Sequence, residues 1–176
     1  MKKICTALFL AFLSPLSAFA ISLADIQNTP ERYETVTNQQ GYTYYVDNST
    51  LKSIKTMPPY SAIECIYYKV DSINKSIIET PTTFSYNSNR DARYILDIGI
   101  YGGPKSSMGE RMEAELLRDP GIQYSSDGIK CYDFDGTFKN SPRPTPFRKC
   151  IFKSPEFLIG NFIYKKYYGE LFTYDS

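Results

Sequence analysis

Histidine and tryptophan are both absent from the 176-residue sequence. A Ser-His-Asp triad, a Cys-His dyad and a histidine-ligated zinc site each require histidine, so these three kinds of centre are excluded. Cysteine is scarce as well, and the four cysteines are too far apart in the sequence to form the close pairs of a structural zinc site. We therefore expect a protein without a histidine-based catalytic centre and without a cofactor.

Long apolar runs are also lacking, and the clearest short one lies near the N-terminus. Residues 7–13 follow the basic start Lys2-Lys3 and precede Ala18-Phe19-Ala20. A basic start, a short apolar segment and a small-x-small site form a secretory signal peptide, whereas a membrane span needs about 20 apolar residues. We predict a signal peptide over residues 1–20, a single secreted domain over residues 21–176 and no transmembrane segment. The expected location is the periplasm, the cell surface or the medium of a bacterium.

Three cysteines remain after removal of the signal peptide, namely Cys65, Cys131 and Cys150. In an oxidising compartment two of them are expected to pair. We favour Cys131 with Cys150, which would close a loop of about 20 residues and stabilise the fold by about 3 kcal/mol in the chain-entropy model. The odd count leaves Cys65 free, buried or bridged.

Tyrosine and phenylalanine are abundant, with 16 and 11 copies. Aromatic residues are typical of half-buried strands, so the composition favours a sheet. The pattern predicts a hairpin of residues 32–37 and 42–46, and a helical turn capped by residues 47–50. Further strands are predicted over residues 61–70, 77–86, 93–101 and 128–138. Within 61–70, Ala62, Glu64, Ile66, Tyr68 and Val70 should share one face, and Ile63, Cys65 and Tyr67 the other.

Two helices are predicted in the second half of the chain. The first begins at Ser107, whose spacing to Glu110 is that of a capping box, and ends at Asp119-Pro120-Gly121. The second begins at Ser154-Pro155-Glu156, with a strand over residues 163–168 as the alternative. Its apolar face should consist of Ile159, Phe162, Ile163, Tyr167 and Leu171. Between the helices, three prolines in residues 140–146 predict an extended surface loop.

The net charge of +1 conceals an uneven distribution. Residues 130–166 contain eight basic residues but only three acidic ones. A partner protein with acidic patches or a sulphated glycan could bind such a cluster, whereas a near-neutral exported chain is not expected to bind nucleic acid. A merely solvated face is the alternative interpretation. The candidate binding residues are Arg143, Arg148, Lys149, Lys153, Lys165 and Lys166.

One acidic motif suggests an enzyme. Asp133-Phe134-Asp135-Gly136-Thr137-Phe138 is similar to the first motif of the haloacid-dehalogenase phosphatases. That similarity implies that Asp133 is the nucleophile and Asp135 the acid/base, with a magnesium ion between carboxylate and phosphate. In that family, however, the motif opens the domain and the other motifs follow over a hundred or more residues. An ordinary Asp-Gly turn after a strand is the interpretation that we favour.

A second motif, Tyr44-Tyr45-Val46-Asp47-Asn48-Ser49-Thr50-Leu51-Lys52, closes the early strand. It resembles the YyvDxxSIk pattern of the bacterial surface-adhesin protein E family, and Tyr33 stands where that family often has tryptophan. The resemblance covers residues 33–52 and, in layout, the later elements. It implies a curved antiparallel sheet and a C-terminal helix tethered by a disulfide, here Cys131–Cys150. It also implies a non-enzymatic role in binding host matrix or plasma proteins.

These observations together predict an α+β fold with five to six antiparallel strands, a short middle helix and a C-terminal helix. The predicted function is that of an exported, adhesin-like binding protein whose ligand is a protein or a sulphated glycan. One alternative is a small periplasmic phosphatase that uses Asp133 and Asp135. Another is a periplasmic inhibitor or chaperone that engages a bacterial protein through Cys65 or a tyrosine-rich surface.

Overall fold

The computed structural model of the protein describes residues 20–100 and 108–173. The predicted signal peptide, apart from Ala20, and the predicted helix start at Ser107 lie outside the described residues. The helices are α1 (Leu23–Asn28), α2 (Ala92–Ile100), α3 (Met108–Arg118) and α4 (Pro155–Tyr168). The strands are β1 (Tyr33–Gln39), β2 (Tyr42–Asp47), β3 (Lys52–Met57), β4 (Tyr60–Asp71), β5 (Ser76–Asn87), β6 (Ile122–Ser126), β7 (Lys130–Asp133), β8 (Phe138–Asn140) and β9 (Thr145–Lys149).

The nine strands form one sheet, in which the long hairpin β4–β5 is central. The main order is β1-β2-β4-β5-β6-β9, while β3 pairs with β4, β7 with β5 and β8 with β7, all antiparallel. The Asp71 carboxylate fixes the hairpin turn because it accepts hydrogen bonds from the backbone N–H groups of Ile73 and Asn74. The predicted α+β class is confirmed, although the sheet has more strands than the five or six expected.

Alternate residues of β4 belong to two different cores. Ile63, Cys65 and Tyr67 lie in a large cluster, in which the sheet packs against α4 with contributions from α2 and α3. Tyr68 and Val70 lie in a smaller cluster with residues of α1 on the opposite face. The predicted alternation along residues 61–70 is therefore confirmed.

Helix α4 begins where its sequence predicts but ends before Leu171, which was expected on its apolar face. The Ser154 side chain accepts a hydrogen bond from the N–H of Phe157, Pro155 occupies the first turn, and Gly169 adopts a left-handed C-cap with φ of 83°. The alternative of a strand over residues 163–168 is therefore wrong. The buried face was predicted only in part: Ile159 and Ile163 are buried, whereas Tyr167 is 45% exposed and Leu171 is 38% exposed. The residues that are buried are Phe157, Ile159, Gly160, Asn161 and Ile163.

Gly160 lies on the buried face of α4, in close contact with the sheet. A Cβ added there would lie 2.9 Å from Ile122 Cγ2 and 3.0 Å from Phe84 Cδ1. The Tyr86 hydroxyl donates a 2.8 Å hydrogen bond to the Gly160 carbonyl. Asn161 Nδ2 donates to the Thr173 carbonyl, and the Thr173 N–H donates to Asn161 Oδ1. Backbone approach and polar pairing, rather than apolar periodicity alone, orient the helix.

Other elements differ from the sequence prediction. Residues 93–101 were predicted as a strand, but α2 is a helix, because the Asp91 carboxylate accepts the N–H of Tyr94 and Ile95 is buried in the main core. The strand predicted over residues 128–138 is interrupted by a turn, which separates β7 from β8. The proline-rich segment is exposed, as expected, but its end continues as β9.

The predicted Cys131–Cys150 bridge is not present. Cys131 pairs with Ile78 near the start of β5, whereas Cys150 donates its N–H to Ile122, whose partner is Tyr86 near the end of β5. Eight residues of β5 separate the two positions, about 26 Å at 3.3 Å per residue. A disulfide requires Cα atoms within about 7 Å. Polar and packing contacts of α4, not a bridge, hold the C-terminal helix to the sheet.

All three described cysteines are free thiols. Cys65 and Cys150 are each 3% exposed, and burial raises the pKa of both thiols. Burial also leaves Cys65 unavailable for contact with another protein in the folded state. Cys131 is partly exposed.

Thiol labelling of the native protein is therefore expected to modify Cys131 first. Cys65 and Cys150 should react only after unfolding, because a thiolate must form and be accessible before it can react. Native protein and urea-unfolded protein are each treated with iodoacetamide, and peptide mass mapping then identifies the cysteines that are alkylated in each state. A Cys131–Cys150 peptide under non-reducing conditions would contradict the strand register.

Candidate functional site: the open face of the sheet

The structure does not bring the six predicted basic residues into one patch. Arg143 lies in the loop before β9, Arg148 and Lys149 lie on β9, and Lys153 lies before α4, whereas Lys165 and Lys166 lie in the last turn of that helix. Three lysines are in ion pairs: Lys149 with Asp119, Lys153 with Glu113 and Lys166 with Glu34. Half of these six charges are therefore neutralised locally.

Arg143 and Arg148 are the basic side chains left at the β9 edge. Both are exposed, and neither forms an ion pair with a residue that the structure describes. Lys165 is similarly exposed, but α4, about 20 Å long, separates it from β9. Of the six predicted residues, Arg143 and Arg148 therefore lie at or near the β9 edge, while the two helix-end lysines lie elsewhere.

The two aspartates of the phosphatase-like motif lie on the turn between β7 and β8. An oxygen of Asp133 is 2.8 Å from Lys139 Nζ, and Asp135 accepts the N–H of Thr137 in the turn. Directly after Asp135, Gly136 has φ of 90°, and a Cβ there would lie 3.1 Å from the Ala20 carbonyl oxygen. The Asp-Gly pair thus forms a tight turn that packs on the N-terminal segment, and the geometry gives the phosphatase alternative no support.

The residues of the motif that resembles the protein E pattern form a hydrogen-bonded cluster at the end of β2. Asp47 is buried, and its carboxylate accepts hydrogen bonds from Arg32 Nε and Nη2 and from the N–H and hydroxyl of Ser49. Thr50 donates to the Asp47 carbonyl and accepts the N–H of Ile66 in β4. The hydrogen bonds of the motif residues therefore hold β1, β2 and β4 together, so the motif stabilises the fold.

The face of the sheet opposite α4 changes character along β4. Tyr68 and Val70 pack with α1 in the smaller core, whereas Ala62 and Glu64, on the same face, line solvent-accessible clefts. We call this second region the open face. It consists of Ala62 and Glu64 of β4, Thr83 and Ser85 of β5, and Gln123 and Ser125 of β6.

Strand register arranges the open face in two rows. One row is Lys55, Ala62, Ser85, Gln123 and Lys149, and the other is Lys52, Glu64, Thr83 and Ser125. Strands lie about 4.8 Å apart, so the first row, on five strands, extends about 19 Å across the sheet. Small polar side chains occupy its centre, and lysines stand at both ends.

Two clefts lie side by side on this surface. The aromatic cleft has a volume of about 290 Å³ and is flanked by Tyr60 and Phe147, with Lys55 at its rim. Tyr60 and Phe147 are 52% and 57% exposed, and Lys55 Nζ lies 5.7 Å from the centroid of the Tyr60 ring. The acidic cleft has a volume of about 420 Å³ and is lined by Glu64 and Asp127 together with hydroxyl groups.

Six of the polar side chains that line the two clefts keep their hydrogen-bonding capacity free, whereas Thr50, Thr82, Asn87 and Asp119 are already hydrogen-bonded. None of the following forms a side-chain hydrogen bond to another described residue: Glu64, Thr83, Ser85, Gln123, Ser125 and Asp127. Hydroxyl, amide and carboxylate groups can together donate and accept several hydrogen bonds to one ligand. The open face is thus suited to holding a polar ligand.

Sequence reasoning identified only part of this surface. The alternation along β4 placed Ala62 and Glu64 on one face, but β3, β6 and β9 were not predicted, so Gln123 and Phe147 could not be placed beside them. A signal was available at Phe147, because a proline inside an otherwise strand-like segment is typical of an edge strand.

Within residues 20–100 and 108–173, no group of three or more histidine, cysteine, aspartate or glutamate side chains could hold a metal ion. The helices of the described segments are all too short or too polar to cross a membrane. In comparisons with known proteins, no family model, no curated protein and no solved structure matches this chain.

Proposed function

We propose that the chain is an exported, non-enzymatic, adhesin-like binding protein whose ligand docks on the open face. The observation that carries this proposal is a row of unengaged polar side chains across the sheet, flanked by the exposed rings of Tyr60 and Phe147. Exposed aromatic residues are frequent at the centres of interfaces because they contribute large contact areas at low entropic cost. The proposed ligands are host matrix or plasma proteins, including their glycans.

The β9 edge supports the same proposal. Arg143 and Arg148 lack ion-pair partners among the described residues and lie at the same edge of the sheet as Phe147, although Arg148 pairs with Tyr124 and so is on the opposite face from that ring. Exposed charges of this kind accelerate association with an acidic partner more than they strengthen the complex. We therefore assign to Arg143 and Arg148 the electrostatic attraction of an approaching ligand. The open face provides the contacts that hold the ligand once it is bound.

Replacement of both flanking rings is expected to weaken binding. The Tyr60→Ser/Phe147→Ser variant should bind host extracellular matrix and host plasma proteins at least tenfold more weakly than the wild type, because aromatic residues at interface hot spots contribute about 2 kcal/mol or more. The measurement is surface plasmon resonance with the purified exported protein. Thermal melting checks that both exposed substitutions leave the fold intact.

The matched control is Ile73→Ser/Leu117→Ser. These side chains are 81% and 63% exposed and lie away from the open face, on the β4–β5 turn and on α3. The control should bind as the wild type does. Equal weakening in both double variants, or in neither, would contradict the assignment of the open face as the binding surface.

A further inference from the structure

We infer that the ligand held by the open face is an uncharged saccharide chain. This inference rests on the proposed function and names the chemical class of its ligand. It follows from three properties of the two clefts: the kinds of polar group that line them, the rings that flank them and the balance of charge over them.

The first property is the set of polar groups. Ser85 and Gln123 of the aromatic cleft and Thr83 and Ser125 of the acidic cleft are short side chains whose hydroxyl and amide groups both donate and accept. Glu64 adds carboxylate oxygens, which accept strong hydrogen bonds from hydroxyl groups. A ligand with many hydroxyl groups, each a donor and an acceptor, matches this set along its whole length.

The second property is the pair of exposed rings at the aromatic cleft. A pyranose ring presents C–H groups on one face and hydroxyl groups around its edge. Aromatic rings are apolar and carry negative charge density on their faces, so they pack favourably on polarised C–H groups. Tyr60 and Phe147 therefore suit the apolar face of a sugar, while Ser85 and Gln123 between them suit its hydroxyl edge.

The third property is charge. Lys52 and Lys55 are balanced by Glu64 and Asp127, and Lys149 at the end of the first row already pairs with Asp119. A polyanion on this face would bring its own charges near two carboxylates, and like charges at close range are unfavourable. The open face thus favours a neutral saccharide chain over a sulphated one. The basic segment alone would suggest a sulphated chain.

Length also fits a chain rather than a single small molecule. The row of Ala62 and the row of Glu64 are two residues apart along each strand, about 7 Å. The two clefts follow one another in this direction, and their volumes of about 290 and 420 Å³ are each typical of ligand sites. A ligand that contacts both clefts is therefore extended along β4 and β5.

The test uses three hexasaccharide probes on the purified exported protein, followed by NMR of backbone amides. Chitohexaose and maltohexaose are neutral, and a heparin hexasaccharide is sulphated. We expect one or both neutral probes to shift the amides of Ser85, Thr83 and Gln123, with binding lost at least tenfold in Tyr60→Ser/Phe147→Ser and unchanged in Ile73→Ser/Leu117→Ser. Shifts at these amides from heparin alone, or from none of the probes, would overturn the inference.

A second arm separates the ligand class from the proposed function. Binding to host extracellular matrix is compared before and after enzymatic removal of the glycans of the matrix. A loss of at least tenfold in binding after deglycosylation supports the saccharide inference. Binding that survives deglycosylation but is still lost in Tyr60→Ser/Phe147→Ser overturns the saccharide inference while leaving the open face as the binding surface. Binding that is unaffected by either change overturns both.

Discussion

The Phe157→Ala variant is expected to lose about 3–5 kcal/mol of unfolding free energy, the usual cost of truncating a fully buried phenylalanine. Phe157 is 0% exposed and lies in the first turn of α4, where its ring contacts Phe152 edge to face at a centroid distance of 5.1 Å. Its ring fills the space between the N-terminal end of α4 and the sheet. Its removal leaves a cavity that the rigid sheet cannot close.

Urea unfolding followed by far-UV circular dichroism measures this loss. Phe162→Ala serves as the control because Phe162 lies on the same helix but is only partly buried against the core. Its expected loss is about 1 kcal/mol, in proportion to the smaller apolar area removed from water. Equal losses in the two variants would mean that α4 does not dock through its first turn.

The C-terminal helix also illustrates which parts of the fold the sequence predicts. Capping residues act locally, so Ser154-Pro155-Glu156 marked the start of α4 correctly. The end at Gly169 was not predicted, because the expected apolar face ran on to Leu171. The face that the helix buries depends on what it meets. Gly160, which looked unfavourable for a helix, is the residue that lets α4 approach Ile122 and Phe84. No periodicity within the helix carries that information.

The strands missed by the sequence have weak or contradictory local patterns. Strand β3 is exposed along almost its whole length, so no apolar alternation marks it. Strand β9 contains Pro146, which argues against a central strand but is tolerated at a sheet edge. Residues of α2 form an apolar run in which β-branched residues favour a strand, yet a cap at Asp91 and burial of Ile95 favour the helix.

The open face was beyond sequence reasoning for the same reason. It consists of ordinary serine, threonine and glutamine residues whose significance depends on register between strands that are far apart in the chain. Gln123 lies beside Ser85 only because β6 follows two helices and returns to pair with β5. The basic segment, by contrast, was conspicuous in the sequence, and the structure disperses it into ion pairs.

Replacement of Asp47 is expected to destabilise the protein by about 2–4 kcal/mol at neutral pH, because Asp47→Ala leaves several donors without their acceptor. The carboxylate is 1% exposed and receives the Arg32 guanidinium, with Nη2 to Oδ2 at 2.8 Å, and the Ser49 N–H at 3.0 Å. The Arg32 side chain is 49% exposed, so water screens part of the ion pair and the hydrogen bonds carry most of the effect.

The contribution of Asp47 should also depend on pH. Burial raises the pKa of the Asp47 carboxyl, but the hydrogen bonds from Arg32 and Ser49 outweigh burial and hold the pKa below its ordinary value of 3.8. The folded state therefore favours the charged form, and this stabilisation is complete above about pH 5 and is lost as the pH falls through the lowered pKa of the folded state. The difference in unfolding free energy between the wild type and Asp47→Asn should accordingly shrink between pH 5 and pH 2.5.

Asp97→Asn provides the control for this measurement, since Asp97 is an exposed aspartate on α2. Its unfolding free energy should stay within about 0.5 kcal/mol of the wild type at pH 7, as is usual for exposed substitutions. Urea titrations at several pH values give both differences. A gap between the wild type and Asp47→Asn that is constant down to pH 2.5 would mean that the Asp47 charge contributes nothing. The motif that resembles protein E would then stabilise the fold through shape and neutral hydrogen bonds alone.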